Sequence, residues 1–190
     1  MLEEVRAATR ENHAALDAQL ELLPETITRA RYAEVLAGML RVVAPLERML
    51  EVVPRFWGEA LPDGSSRRKT ALLVADLADL AALGAPVLRP SPPPALPIIE
   101  TVAQAFGCTY VLEGSTLGGV ILARTLGPKL AAPNAMSFWT AYGAATGARF
   151  RTFCDALERW AADRPPAERA AVIETAGATF DAFAAVFAGG

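Results

Sequence analysis

The sequence predicts an all-α protein, a single-domain bundle of six to eight helices over residues 1–190. Three observations predict it. Apolar residues recur at the 3.6-residue helical period in several long segments, and strand-like alternation of β-branched residues appears nowhere. With 53% apolar and 21% charged residues, a chain of 190 residues can bury one sizeable core and is not intrinsically disordered.

In order along the chain, residues 2–21 read as a helix with Leu2, Val5, Ala8 or Thr9, Leu16 and Leu20 on one stripe, ended by Pro24. A second begins at the caps Thr26 and Thr28. It runs through Tyr32, Val35, Leu36, Met39, Val42 and Val43 to Leu50 and stops by Pro54, with a kink expected at Pro45. The third carries Leu72, Leu73, Leu77 and Leu80 and closes at Gly84. Six prolines in the fourteen residues from Gly84 to Pro97 specify an extended surface loop. Residues 98–126 form the next long pattern, broken by Gly127, Pro128, Pro133 and Asn134. Helices near 136–161 and 165–187 complete the chain, the last with Pro165 and Pro166 in its first turn.

Composition excludes several functions. A formal net charge of −3 without a basic tail argues against a nucleic-acid partner. The most apolar stretches, 107–127 and 172–190, are interrupted by Glu113, Arg124, Glu174 and Asp181, so no membrane span is expected. Glu3 and Glu4 occupy the place of a basic signal n-region, which makes the cytoplasm the default location. Cys108 and Cys154 form neither a CxxC pair nor a disulfide framework. A single histidine, His13, excludes sites that need two or three imidazoles, including the usual catalytic zinc and di-iron constellations.

Two segments carry candidate chemistry. His13 shares its helix face with Arg6, Thr9, Asp17 and Leu20, and Asp17 one turn on can accept the second ring N–H that a ligating imidazole donates. The same pattern is compatible with a plain surface or core histidine. In Gly107 to Leu122, the glycines Gly114, Gly118 and Gly119 lie inside a helical pattern, each costing about 1 kcal/mol against alanine. Gly114 and Gly118 share a face, against which a flat ligand could lie directly on the main chain, with Ser115 and Thr116 beside it. A close helix crossing through small residues is the other reading of these glycines.

RAATRENHAALD (Arg6 to Asp17) and YVLEGSTLGG (Tyr110 to Gly119) together resemble the proximal and distal helices of the heme oxygenases, especially the bacterial, biliverdin-producing branch. The resemblance implies a bundle with haem held between a proximal and a glycine-kinked distal helix. His13 would be the iron ligand and Asp17 its hydrogen-bond partner, where the family has a glutamate. Gly114 and Gly118 would bring the distal helix onto the haem face, and Ser115 would help hold water that delivers protons. Arg6, Tyr110 and Arg151 would lie along the propionate edge, with Thr116 and Gly119 as further cofactor contacts; Asp155 stands where the animal enzymes have a second basic residue. Haem would be both cofactor and substrate, cleaved with dioxygen to biliverdin, carbon monoxide and ferrous iron. Because no flavin or iron–sulfur motif is present, electrons would come from a ferredoxin or a flavin reductase. The product would serve iron acquisition or a biliverdin-binding photoreceptor of the phytochrome type. A haem-sequestering protein that leaves the ring intact, and a helical interaction module, are the alternatives.

Overall fold

A computed structural model describes residues 1–89 and 91–188, so Pro90 of the predicted extended loop lies outside the described residues. Among the described residues there are seven α-helices and no strand: α1 (Leu2–Ala8), α2 (Arg10–Leu20), α3 (Arg29–Glu51), α4 (Thr70–Ala82), α5 (Val102–Leu130), α6 (Thr146–Ala161) and α7 (Pro166–Phe187).

The single helix expected over 2–21 is two, interrupted at Thr9, whose buried hydroxyl donates to Val5 O at 2.8 Å while its φ and ψ leave the helical region. Thr28 caps α3 by accepting from Arg31 N at 3.1 Å, and Pro45 does not interrupt it. One missing N–H is tolerated because Val42, Val43 and Leu46 around it are buried. The helix expected over 98–126 starts with a capping box between Thr101 and Gln104 and runs through Gly127 and Pro128 to Leu130, ending on Ala131 in the left-handed region.

The largest departure is 136–161. Its first part is not helical, and α6 begins only at Thr146. The reason lies elsewhere in the chain. Buried Asp76 of α4 accepts the backbone N–H groups of Ser137 and Phe138 at 2.9 and 2.8 Å, and Tyr32 of α3 donates to Ala135 O at 2.9 Å. These side chains satisfy backbone groups that a helix would satisfy by itself, and Gly143 at φ 51° turns the chain into α6.

α5 and α7 are long and apolar enough, by length and composition alone, to cross a membrane, a test that a helix buried in a protein core passes equally. In the bundle they pack along each other. Both N-termini border one groove, so the two run parallel. Their crossing is close: a Cβ on Gly107 would sit 2.3 Å from Val172 O. Around it Phe106 meets Phe56, Trp160 and Phe153 at centroid distances of 5.2, 5.3 and 6.1 Å. Cys108, buried beside Thr179, has its thiol pushed up to about 12 by burial.

At the other end of the chain, Glu158 of α6 accepts Leu2 N at 2.9 Å and the Met1 ammonium at 3.3 Å. The Leu2 N–H, then the ammonium group and Arg169, outweigh the cost of partial burial and hold its carboxyl below the ordinary glutamate range. A depressed folded pKa stabilises above the unfolded value, and that stability is lost as pH falls through the folded one. Acidification below about pH 4 is therefore expected to release α1 before the core opens. Hydrogen exchange at 2–8 should accelerate in that window in the wild type but show no such step in Glu158→Gln.

Candidate functional site

His13 lies on the outer part of α2. Its side chain is 62% exposed, its Nδ1 is 3.1 Å from Asp17 Oδ2, and its ring meets Phe180 of α7 edge-on at 5.8 Å. Asn12 donates to Asp181 at 3.0 Å and fastens the same turn of α2 to α7. With Nδ1 facing a carboxylate, Nε2 is the ring nitrogen left to take a further partner.

The glycines of α5 divide into two kinds. A Cβ on Gly119 would lie 2.6 Å from Trp139 O, so here, as at Gly107, the missing side chain admits a neighbour's backbone. Around Gly114 and Gly118 nothing lies within 4 Å of the added carbon. The close helix crossing is thus made at Gly107, while Gly114 and Gly118 face open space. Leu117 and Ile121 on the same side are exposed, Ile121 by 69%, and half-buried Tyr110 sits one turn before Gly114.

The level of this face along the bundle follows from helix geometry. Gly107 lies against Val172 and Ala176, and two parallel helices rise equally per residue. Seven residues on, Gly114 therefore comes level with Thr179 to Phe183 of α7. Phe180, which the His13 ring touches, lies within that stretch.

The remaining expected site residues separate. Thr116 is buried with its hydroxyl donating to Glu113 O at 2.7 Å, so it and Gly119 line the packed side of α5 rather than the open face. Half-buried Ser115 donates to Leu112 O at 2.9 Å, leaving its lone pairs to accept. Arg6 on α1 is exposed and close enough to Cys154 of α6 to oppose the rise that burial gives its thiol. Exposed Arg151 is one turn before Cys154, its guanidinium lying back over Gly147. Arg6 thus lies by the α1–α6 contact, whereas the Arg151 guanidinium turns toward the first turn of α6.

Sequence reasoning missed a buried charge cluster behind this face. The Glu113 carboxylate, 1% exposed, pairs with Arg67, with Lys69 at 2.9 Å and with the Tyr142 hydroxyl at 2.6 Å. The available signal was a lone carboxylate in a long apolar segment, read there only as an interruption. Two cavities lie away from His13 and the open glycines. One, of about 280 Å³, is lined by Glu47, Trp57, Arg67, Lys69, Thr109 and Glu113. The other, of about 820 Å³, is the groove between the N-terminal ends of α5 and α7 and the end of α6. Among the described residues no group of three His, Cys, Asp or Glu side chains could hold a metal ion.

No protein-family model and no curated protein sequence matches the chain. Among solved structures, it is similar to the heme oxygenase from Neisseria meningitidis determined with nitric oxide and carbon monoxide bound. The TM-score is 0.72 at 18% identity, over 97% of this chain and 88% of that one. The all-helical architecture is therefore the heme oxygenase fold.

The two kinds of glycine give opposite expectations for alanine. Gly118→Ala should stabilise the ligand-free protein by about 0.4–1 kcal/mol, since the helix gains an ordinary residue and nothing is displaced. Gly107→Ala and Gly119→Ala should each destabilise it by about 1–3 kcal/mol, the usual range for overpacking a close contact. Denaturant midpoints of the three variants measure the split, and a destabilised Gly118→Ala would place that residue in packed surroundings.

Proposed function

We propose that the protein binds haem and opens its ring as a heme oxygenase does, yielding biliverdin, carbon monoxide and ferrous iron from haem, dioxygen and external electrons. What supports this most is the bare face of α5 at Gly114 and Gly118, level with the place where the only histidine meets α7. A side-chain-free helical face and a singly partnered imidazole fit a flat macrocycle whose iron takes one axial nitrogen. When bound, haem supplies the oxygen chemistry and is itself the ring consumed.

The chain's own residues do the rest. Asp17, 3.1 Å from Nδ1, would fix the tautomer and orientation of the His13 ring so that Nε2 is the nitrogen offered to the ligand. Gly114 and Gly118 admit the ring to within contact of the main chain, and Leu117 and Ile121 give the same face apolar walls. None of these four residues carries an acid or a base, so the face shields the ring without offering a group that would pull oxygen chemistry away from it. Ser115 can accept a hydrogen bond from water while its own proton stays on Leu112 O. Arg6 and Arg151 would supply cations for propionates, with Tyr110 as a further partner at that edge. A ferredoxin or flavin reductase as donor and a cytoplasmic setting complete the reading, with iron acquisition or supply of a photoreceptor chromophore as its use. The committed Ser115 proton also suits a carrier that holds haem unopened, and the reductant arm of the test separates the two.

Titration of the apo protein with hemin should give a Soret band of an imidazole complex, and adding a reductant in air should convert it to a verdin spectrum. A stable band would identify the carrier, and no band would exclude haem. His13→Ala should lose the band and the turnover, with added imidazole restoring part of both; an unaltered spectrum would sink the ligand assignment. Arg6→Ala and Arg151→Ala should change the biliverdin isomer ratio while raising the haem off-rate by about fivefold at most, as partly exposed ion pairs allow.

A further inference from the structure

Glu113 is the one charged residue of the Tyr110–Gly119 run and has no part in the site described so far, and it is the most demanding group in α5. Around Glu113 and the two open glycines the helix is apolar on nearly every side, with Val111, Leu112, Leu117, Val120, Ile121 and Leu122, while its exposed Arg124, Thr125 and Lys129 come nearer its C-terminal end. Hydrophobic burial alone therefore exerts little torque on it, and a turn of about 100° would carry Gly114 and Gly118 off the open side. Gly107 and Gly119 admit neighbours closely but attract nothing.

A buried carboxylate is directional. It is tolerated only where cations and donors meet it, and for Glu113 they come from two other parts of the chain. Arg67 and Lys69, both buried, arrive from the segment before α4, and Tyr142 from the turn before α6. Arg67 also donates to Arg149 O at 3.3 Å, and the Arg149 guanidinium lies 4.6 Å from the Tyr142 ring centre. Burial, then the neighbouring Glu113 charge, pushes the Tyr142 hydroxyl far above its ordinary pKa, so it remains a donor. Gly114 follows Glu113 by one residue, so anchoring this carboxylate inward sets the glycine face about 100° round the helix from it.

We propose that Glu113 is the positioning residue of this face: its junction with Arg67, Lys69 and Tyr142 fixes the rotation of α5 so that Gly114 and Gly118 point to the ligand. For what the face receives this rests on the haem reading; the fixing itself does not.

The test begins with the apo protein. Glu113→Gln should keep its helical circular dichroism yet exchange the amides of 114–121 about tenfold faster or more, the loss expected of a charge-assisted bond. Amides of 172–180 should change far less, and Glu113→Asp should recover part of the protection. With hemin, Glu113→Gln should retain the His13-dependent Soret band but broaden the haem orientations seen by NMR and shift the product isomer ratio. Tyr142→Phe, which leaves the ion pairs in place, should move both readouts the same way by less and carries the test if Glu113→Gln does not fold. Exchange that is unchanged, or accelerated evenly through the bundle, would overturn the assignment. If the wild type gives no Soret band, the haem reading falls, and the apo exchange pattern still decides whether Glu113 sets the face.

Discussion

The approach of α5 to α7 at Gly107 is the contact from which the remaining geometry follows. With no room for even a methyl group between Gly107 and Val172 O, the two longest apolar helices share one axis spacing and one register. α2 is laid along α7 by Asn12 and by the His13 ring on Phe180, so the height of the imidazole is set by α7 as well. One helix thus serves as the common reference for the two elements that carry the candidate chemistry. Neither needs to touch the other for their levels to agree.

That reference fixes height but not rotation, which is the harder quantity for a helix that is apolar on nearly every side around its open glycines. Here a polar group inside the core acts as a key. Burying Glu113 with two cations and a phenol gains little net stability, because desolvation offsets most of the Coulomb energy. It does make wrong rotations costly, since each would strand charges without partners. Asp76 plays a related part for the 132–142 turn: burial raises its carboxyl above the ordinary aspartate range, and two backbone N–H groups partly compensate it. In both places a carboxylate organises chain that hydrophobic burial would leave undecided.

On the open side the same helix presents an absence of side chains. The exposed apolar stripe of Leu117 and Ile121 beside two unhindered glycines is costly for a free surface: it sacrifices helix propensity and leaves apolar area in water. Cover by a flat apolar ligand would remove the second of these costs.

The helical periodicity, the Thr28 cap, the Pro166 start of α7 and the single imidazole with Asp17 one turn away were legible in the sequence by itself, because each depends on residues within a turn or two of one another. The run from Tyr110 to Gly119 was legible as unusual, yet its four-residue spacing could not tell a ligand face from a helix crossing. Only the tertiary structure separated Gly107 and Gly119, pressed against Val172 and Trp139, from Gly114 and Gly118, which face open space. It alone moved Thr116 to the packed side and broke the helix expected from residue 136. It also gathered Arg67, Lys69 and Tyr142 onto Glu113. The reason is physical: what a glycine or a buried carboxylate does is set by the atoms opposite it, and those atoms come from chain 20 to 65 residues away, beyond the reach of any local pattern.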